Sequence, residues 1–311
     1  MKNLKIVALI LIALLAILQF FIFNSQKETK PSQKSIAVST FALYDIAKHI
    51  AGESIKIVNI IPFGSNPHSF EPSPKLMGEI EDSSLLFYSG VGLEHWIENM
   101  EFKNRALDVS KHVKLRELES DEFEFHEHHD EQCAHGTLDP HYWLDFENMQ
   151  KATKLITDEL INLQPEHKEK YEKNRDKYLN GLKKLDNAFK KDLSLCRLNT
   201  IIINHNSISY LAHKYNFETK SLSGLTPEAE PTASDIKRII KEIDKDGVKT
   251  IFFENFVNNS VIKSIAKDEN IKIDSLHSLG NITPDEADQN LSYEDIMYTN
   301  LEKLSKVLEC N

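Results

Sequence analysis

The stretch IAVSTFALYDIAKHIAGESIKIVNII, residues 36–61, decides the fold class of this chain. Its first residues, 36–39, predict a buried strand, and apolar residues then recur at helical spacing from residue 41 until Gly52 ends the helix. A second apolar run over residues 55–61 predicts another strand. A strand, a helix and a strand in this order predict a parallel sheet that helices cover on both faces.

The same alternation continues, stops and restarts further along the chain. Strands are predicted at 85–88 and 107–110, and again, after a long charged helix, at 200–203, 248–253 and 271–276. We therefore expect an α/β protein with two lobes, each a mainly parallel sheet flanked by helices, and a ligand cleft between them. The expected bounds are residues 35–165 for the N-terminal lobe, 166–194 for one rigid linking helix and 195–311 for the C-terminal lobe.

Charge and the first residues of the chain restrict the class of protein. The formal net charge of −11 over 311 residues disfavours nucleic acid as a partner and agrees with a cationic ligand. Lys2 and Lys5 precede an apolar run over 6–23, which is the pattern of an export signal. The run also approaches the length of a membrane anchor. Residues 1–24 are therefore predicted to be a signal peptide or an N-terminal anchor, and either places the remainder outside the cytoplasm.

Three cysteines, Cys133, Cys196 and Cys310, occur in the chain. Outside the cytoplasm, two of them could form a disulfide. Because Cys133 lies in a histidine-rich segment, the pair Cys196–Cys310 is favoured, although spacing alone leaves the connectivity open.

Histidines lie beside the predicted strands at four comparable junctions, two in each lobe: His68, His141, His205 and His277. A single loop histidine is usually structural, but open parallel sheets bind ligands beyond the carboxyl ends of their strands. Neutral imidazoles favour zinc, copper or nickel, whereas manganese prefers sites richer in oxygen. Four such side chains would complete the tetrahedral shell of one zinc ion.

The fourth position has competing candidates. Asp274 lies three residues before His277, and residues an odd number apart on a strand face opposite sides of the sheet. The two side chains are therefore not expected to bind the same ion; we favour His277, with Asp274 or a water as the alternatives. Glu254 follows a predicted strand and is expected either to orient a ligating histidine from behind or to make a cap or lobe contact.

Four motifs in sequence order resemble those of the zinc- and manganese-binding proteins of bacterial ABC importers, most closely the zinc-uptake (ZnuA-like) type. The resemblance extends over essentially the whole chain after the leader. The motifs are NPHSFEP at 66–72, GLEHW at 92–96, DPHYWLD at 139–145 and TPEAEP at 226–231.

This resemblance implies two α/β lobes, a rigid linking helix and a metal in the cleft. His68, His141 and His205 match the family's metal-binding positions, and a histidine rather than the glutamate of manganese-type relatives at the third position favours zinc. The stretch from Leu276 to Gly280 departs from a common Leu-Asp-Pro-Leu-Gly pattern and places His277 at the aspartate.

The acidic, histidine-rich segment 119–136 has no apolar period and is typical of the zinc branch of this family. We expect it to be a mobile loop that holds a weaker second zinc site or scavenges metal, the alternative being a solvated loop. Its metal-competent residues are His126, His128, His129, Cys133 and His135.

The function implied is that of a monomeric periplasmic carrier without enzymatic activity. It would capture zinc with high affinity and deliver it to an ABC permease in the inner membrane. Alternatives are a manganese carrier of the same fold, a surface adhesin and a zinc hydrolase. The sequence contains neither a His-Glu-x-x-His nor a Gly-x-Ser-x-Gly motif, which disfavours the hydrolase.

Overall fold

A computed structural model of the chain describes residues 34–100, 102–117, 138–223, 231–256 and 260–311. The predicted leader, residues 1–24, lies outside these ranges. Within them, no helix combines the length and the apolar character needed to cross a membrane.

The first lobe contains a four-stranded parallel sheet in the order β2-β1-β3-β4. Helix α1 packs against it, and α2 begins at Pro74, where the Ser73 side chain accepts a hydrogen bond from the N–H of Leu76. The elements are β1 (Ser35–Val38), α1 (Phe41–Ala51), β2 (Lys56–Asn59), α2 (Pro74–Glu81), β3 (Leu85–Tyr88), β4 (Arg105–Asp108) and α3 (Phe146–Leu163).

The second lobe repeats this arrangement with a parallel sheet in the order β6-β5-β7-β8. All six residues of the inner strand β5 are buried, including His205 at its end. The elements are β5 (Thr200–His205), α5 (Ser209–Tyr215), β6 (Glu218–Ser223), α6 (Ala233–Asp246), β7 (Thr250–Glu254), α7 (Ser260–Asp268), β8 (Lys272–Leu276), α8 (Pro284–Asp288) and α9 (Tyr293–Val307).

A helix of 25 residues, α4 (Lys168–Asp192), lies between the two sheets in sequence. It packs against α1 and α3 of the first lobe and α9 of the second, and it buries Tyr171, Leu182, Leu185 and Phe189. This agrees with the linking helix predicted at 166–194, although a short 3-10 turn at Pro165–His167 delays its start. The bounds assigned to the lobes stay predictions.

Several elements differ from the sequence-based expectation. Helix α3 was not predicted, although Asp145 caps it by accepting from the N–H groups of Glu147 and Asn148. Strand β4 ends at Asp108 rather than continuing to residue 110, because the chain turns into a 3-10 helix at Val109–His112. Strand β6 and helix α7 were also missed.

The end of the chain is fastened to the start of the second lobe. Cys196 and Cys310 form a disulfide, which is the pairing favoured from the sequence. Leu198 N–H also donates to the carbonyl of Leu308 at 3.0 Å. The covalent link closes a separation of 114 residues and so restrains the C-terminal lobe as a whole.

Candidate metal centre

Three of the predicted histidines converge on one point between the two sheets. His68 lies in the loop after β2, His141 precedes the 3-10 helix Tyr142–Leu144, and His205 ends β5. Their ring centroids are 5.0–5.2 Å apart, and one ligand atom from each lies within 4.8 Å of the others. Across the described residues this is the one such group of histidine, cysteine or acidic side chains.

One distance in the cluster can be compared directly with the geometry of a zinc site. His68 Nε2 and His141 Nε2 are 3.3 Å apart. Two nitrogens that each bind one tetrahedral zinc at about 2.0–2.1 Å are separated by about 3.3 Å. The two rings therefore already stand at the spacing that a shared zinc ion requires.

The cluster is buried, and burial favours neutral imidazoles. His141 and His205 are 1% and 0% exposed, and His68 is partly buried. Burial, followed by the neighbouring His205 and His141, lowers the pKa of His68 well below its usual value. A neutral imidazole can donate its lone pair to a metal without first losing a proton.

Asp139 fixes the orientation of His141 from behind. Its Oδ1 accepts from the Nδ1 of His141 at 2.8 Å and from the backbone N–H of the same residue at 2.9 Å. Its Oδ2 accepts from the Ser209 hydroxyl, and its carbonyl accepts from the Tyr210 hydroxyl at 3.0 Å. A hydrogen on Nδ1 leaves Nε2 of His141 as the nitrogen with a lone pair free for a metal.

Glu254, at the end of β7, fixes the orientation of His205. Its carboxylate contacts His205 Nδ1, so Nε2 lies on the side of the ring away from Glu254. Its own N–H donates to Asn204 Oδ1 at 2.8 Å. Burial acts to raise the pKa of Glu254, but its contact with the His205 ring outweighs this and lowers the pKa to about 2. Glu254 therefore contacts the His205 ring from behind, which is one of the two roles expected for it from the sequence.

The structure does not bring His277 into this cluster. Its Nδ1 accepts from the backbone N–H of Leu279 at 3.0 Å, and its Nε2 lies 3.3 Å from a carboxylate oxygen of Glu286. Both ring nitrogens are therefore engaged away from the other histidines. Asp274 also lies outside the cluster. Its carboxylate pairs with Lys303 at 3.1 Å and accepts from the N–H of Ser275.

The described residues thus offer three nitrogen donors to an ion, with two carboxylates that hold the rings instead of facing the ion. Nitrogen donors of this kind suit zinc, copper or nickel better than manganese. The segment with His126, His128, His129, Cys133 and His135 lies outside the described residues.

Comparisons with known proteins place the chain among zinc-uptake components. The family model described as "Zinc-uptake complex component A periplasmic" (ZnuA) matches residues 36–307. The high-affinity zinc uptake system protein ZnuA of Bacillus subtilis is 29% identical over 286 residues, which are 90% of this chain and 89% of that protein. The zinc-binding lipoprotein AdcA of Streptococcus pneumoniae is 26% identical over 98% of this chain, but the chain spans only 61% of AdcA.

Solved structures with the same fold include metal-binding proteins. The Zn(II)-bound ZnuA-like domain of Streptococcus pneumoniae AdcA superposes with a TM-score of 0.73 at 25% identity, over 89% of this chain and 100% of that domain. The laminin-binding protein Lmb of Streptococcus agalactiae, described as having adhesin and metal-transporting activity, gives a TM-score of 0.78 at 27% identity, again over 89% and 100%.

Proposed function

The chain belongs to the ZnuA family of zinc-uptake components, and from this premise we propose that it captures a zinc ion outside the cytoplasm and delivers it to an ABC-type permease for uptake. The observation that carries the proposal is the convergence of His68, His141 and His205, with donor atoms within 4.8 Å of one another. The chain acts as a monomeric solute-binding protein, and zinc is its cargo.

Capture joins the two lobes through the ion. His68 and His141 belong to the first lobe and His205 to the second, so a bound zinc cross-links them. Asp139 and Glu254 hold two of the rings in advance, which reduces the ordering cost of binding. Because α4 packs against helices of both lobes, any closing movement is small. Docking on the permease frees the ion by disfavouring this bound arrangement.

The donor set favours zinc over manganese and carriage over hydrolysis. A manganese site would be richer in oxygen ligands. A zinc hydrolase would need a carboxylate base beside a metal-bound water. Of the described residues, Asp139 and Glu254 bring carboxylates to the cluster, and both contact imidazole nitrogens, so neither is placed to serve as that base.

Two sequence features complete the proposal. Residues 1–24 direct export to the periplasm and either are removed or keep the protein at the membrane. The histidine-rich segment 119–136 holds a weaker second zinc site or scavenges metal.

Competition titration of the full chain with zinc and manganese tests the proposal. We expect one tightly bound zinc, retained when residues 119–136 are deleted and lost in His68→Ala and His205→Ala. The matched control is His213→Ala, because His213 is an exposed histidine on α5. A preference for manganese, or tight zinc binding that disappears with the deletion, would refute the proposed function.

A further inference from the structure

One stretch of the second lobe, residues 277–283, holds the two lobes together, and we call it the crossover segment. Its backbone and side chains make five hydrogen bonds to the first lobe, at 2.7–3.0 Å. They are Trp143 Nε1–H to Ser278 O, Phe41 N–H to Gly280 O, Gly64 N–H to Ile282 O, and the Asn281 amide to Pro62 O and Ser65 O.

The crossover segment also touches the support of each metal-binding histidine. A Cβ on Gly280 would lie 3.1 Å from Pro67, the residue before His68, which is tighter than most Cβ contacts in proteins, so the two backbones approach each other closely here. Trp143, which donates to Ser278 O, packs edge-on against the His141 ring at 5.4 Å between centroids. The Ser278 side chain lies beside the Glu254 carboxylate that holds His205.

Leu279 gives this segment its shape through an unfavourable backbone conformation. Its φ of +60° lies in the left-handed region, although it has a branched side chain that is fully buried. Such a conformation persists only where the surroundings hold it in place.

His277 supplies that restraint. Its Nδ1 accepts from the N–H of Leu279, two residues on, which is the geometry of an Asx turn made with an imidazole. A backbone N–H can only donate, so Nδ1 carries no hydrogen and Nε2 donates to Glu286 at 3.3 Å. The His277 backbone is fixed in turn by Asn300, which accepts from its N–H at 3.0 Å and donates to its carbonyl at 2.8 Å.

We propose that His277 is a positioning residue for the metal centre: it stabilises the turn at Leu279 and thereby sets the segment on which the supports of His68, His141 and His205 rest. The inference depends on the proposed function, because it concerns the affinity of the same zinc site. It also gives the histidine at this position a role other than that of the fourth ligand.

Zinc affinity and zinc dissociation rate, measured on the full chain and on two variants at one position, test this role. His277→Asn keeps an acceptor for the N–H two residues on, and His277→Ala removes it. We expect His277→Ala to weaken zinc binding about 10- to 100-fold, as loss of a residue that orients metal ligands does, and His277→Asn to stay within about threefold of the unmodified chain. The control Ile265→Ala removes a buried side chain in the separate core on α7; it should lower Tm without changing zinc affinity.

The outcomes separate the possibilities. Unchanged affinity in His277→Ala would overturn the inference, and so would a loss in His277→Asn as large as that in His277→Ala, since the ring itself would then be required. If His277→Ala fails to fold, normal affinity in His277→Asn supports the inference and weak affinity overturns it. Failure of the unmodified chain to bind zinc would refute the proposed function, and it is visible before any variant is measured.

Discussion

Replacing Asp139 with asparagine isolates the effect of one negative charge behind a metal-binding imidazole. The substitution keeps the shape of the side chain and a carbonyl oxygen that can accept from His141 Nδ1 and from its backbone N–H. The Ser209 hydroxyl, which now donates to Oδ2, can rotate to accept from the new amide. The variant therefore removes charge with little change in packing.

The size of the effect follows from the hydrogen bond that is altered. A hydrogen bond to a charged group contributes about 1.5–3 kcal/mol, and one between neutral groups contributes about 0.5–1.5 kcal/mol. The bond between His141 and Asp139 is 2.8 Å long and is fully buried, so solvent does not screen it. Losing about 1–1.5 kcal/mol corresponds to a zinc affinity that is about 5- to 10-fold weaker.

Competition titration with a chromophoric zinc chelator measures this difference on the full chain. Asp145→Asn is the matched control, because Asp145 lies in the same motif but caps α3 and contacts no metal-binding histidine. Asparagine caps a helix as well as aspartate does. Equal zinc affinity in Asp139→Asn and the unmodified chain, or an equal loss in Asp145→Asn, would refute the charge argument.

Three further predictions concern other parts of the molecule. Glu254→Gln should weaken zinc binding by on the order of tenfold in the same titration, because the group that orients His205 loses its charge. Serine at both Cys196 and Cys310 should lower the free energy of unfolding by about 2–5 kcal/mol, as followed by denaturant titration, and leave zinc affinity unchanged. The pKa of His68 is lowered in the folded state, so below pH 6.5 the unfolded chain binds a proton that the folded chain does not. The unfolding free energy of the metal-free protein should therefore decrease from pH 7 to pH 5, and less so in His68→Gln.

Sequence reasoning located the three converging histidines because each stands where the chain leaves a strand or enters a helix. His205 ends the buried strand β5, and His68 follows β2, so sheet topology alone brings them toward the same cleft. Glu254 was placed by the same argument, since β7 lies beside β5.

The same reasoning predicted His277 as the fourth ligand because it also follows a strand, but its ring lies outside the cluster in the structure. The chain turns sharply after β8, so that Nδ1 of the ring accepts from the backbone N–H of Leu279 and Nε2 bonds to Glu286 of α8. A left-handed residue at Leu279 produces this turn, and sequence patterns give no reason to expect one at a leucine.

The role of Asp139 was not predicted, although a signal was present. An aspartate two residues before His141 can accept from the N–H of that residue, and the structure adds a contact to its ring. Helix α3 was missed for a similar reason. Asp145, which caps it, was considered only as part of the DPHYWLD motif and not as the start of a helix.

The most direct test of a zinc site built from His68, His141 and His205 is a crystal structure of the zinc-loaded chain with diffraction data on both sides of the zinc absorption edge. The proposed site predicts a strong anomalous peak about 2.0–2.1 Å from Nε2 of each of the three rings, with His277 still bonded to Leu279 and Glu286. A principal zinc peak on the histidine-rich segment, or one bound to His277, would contradict it.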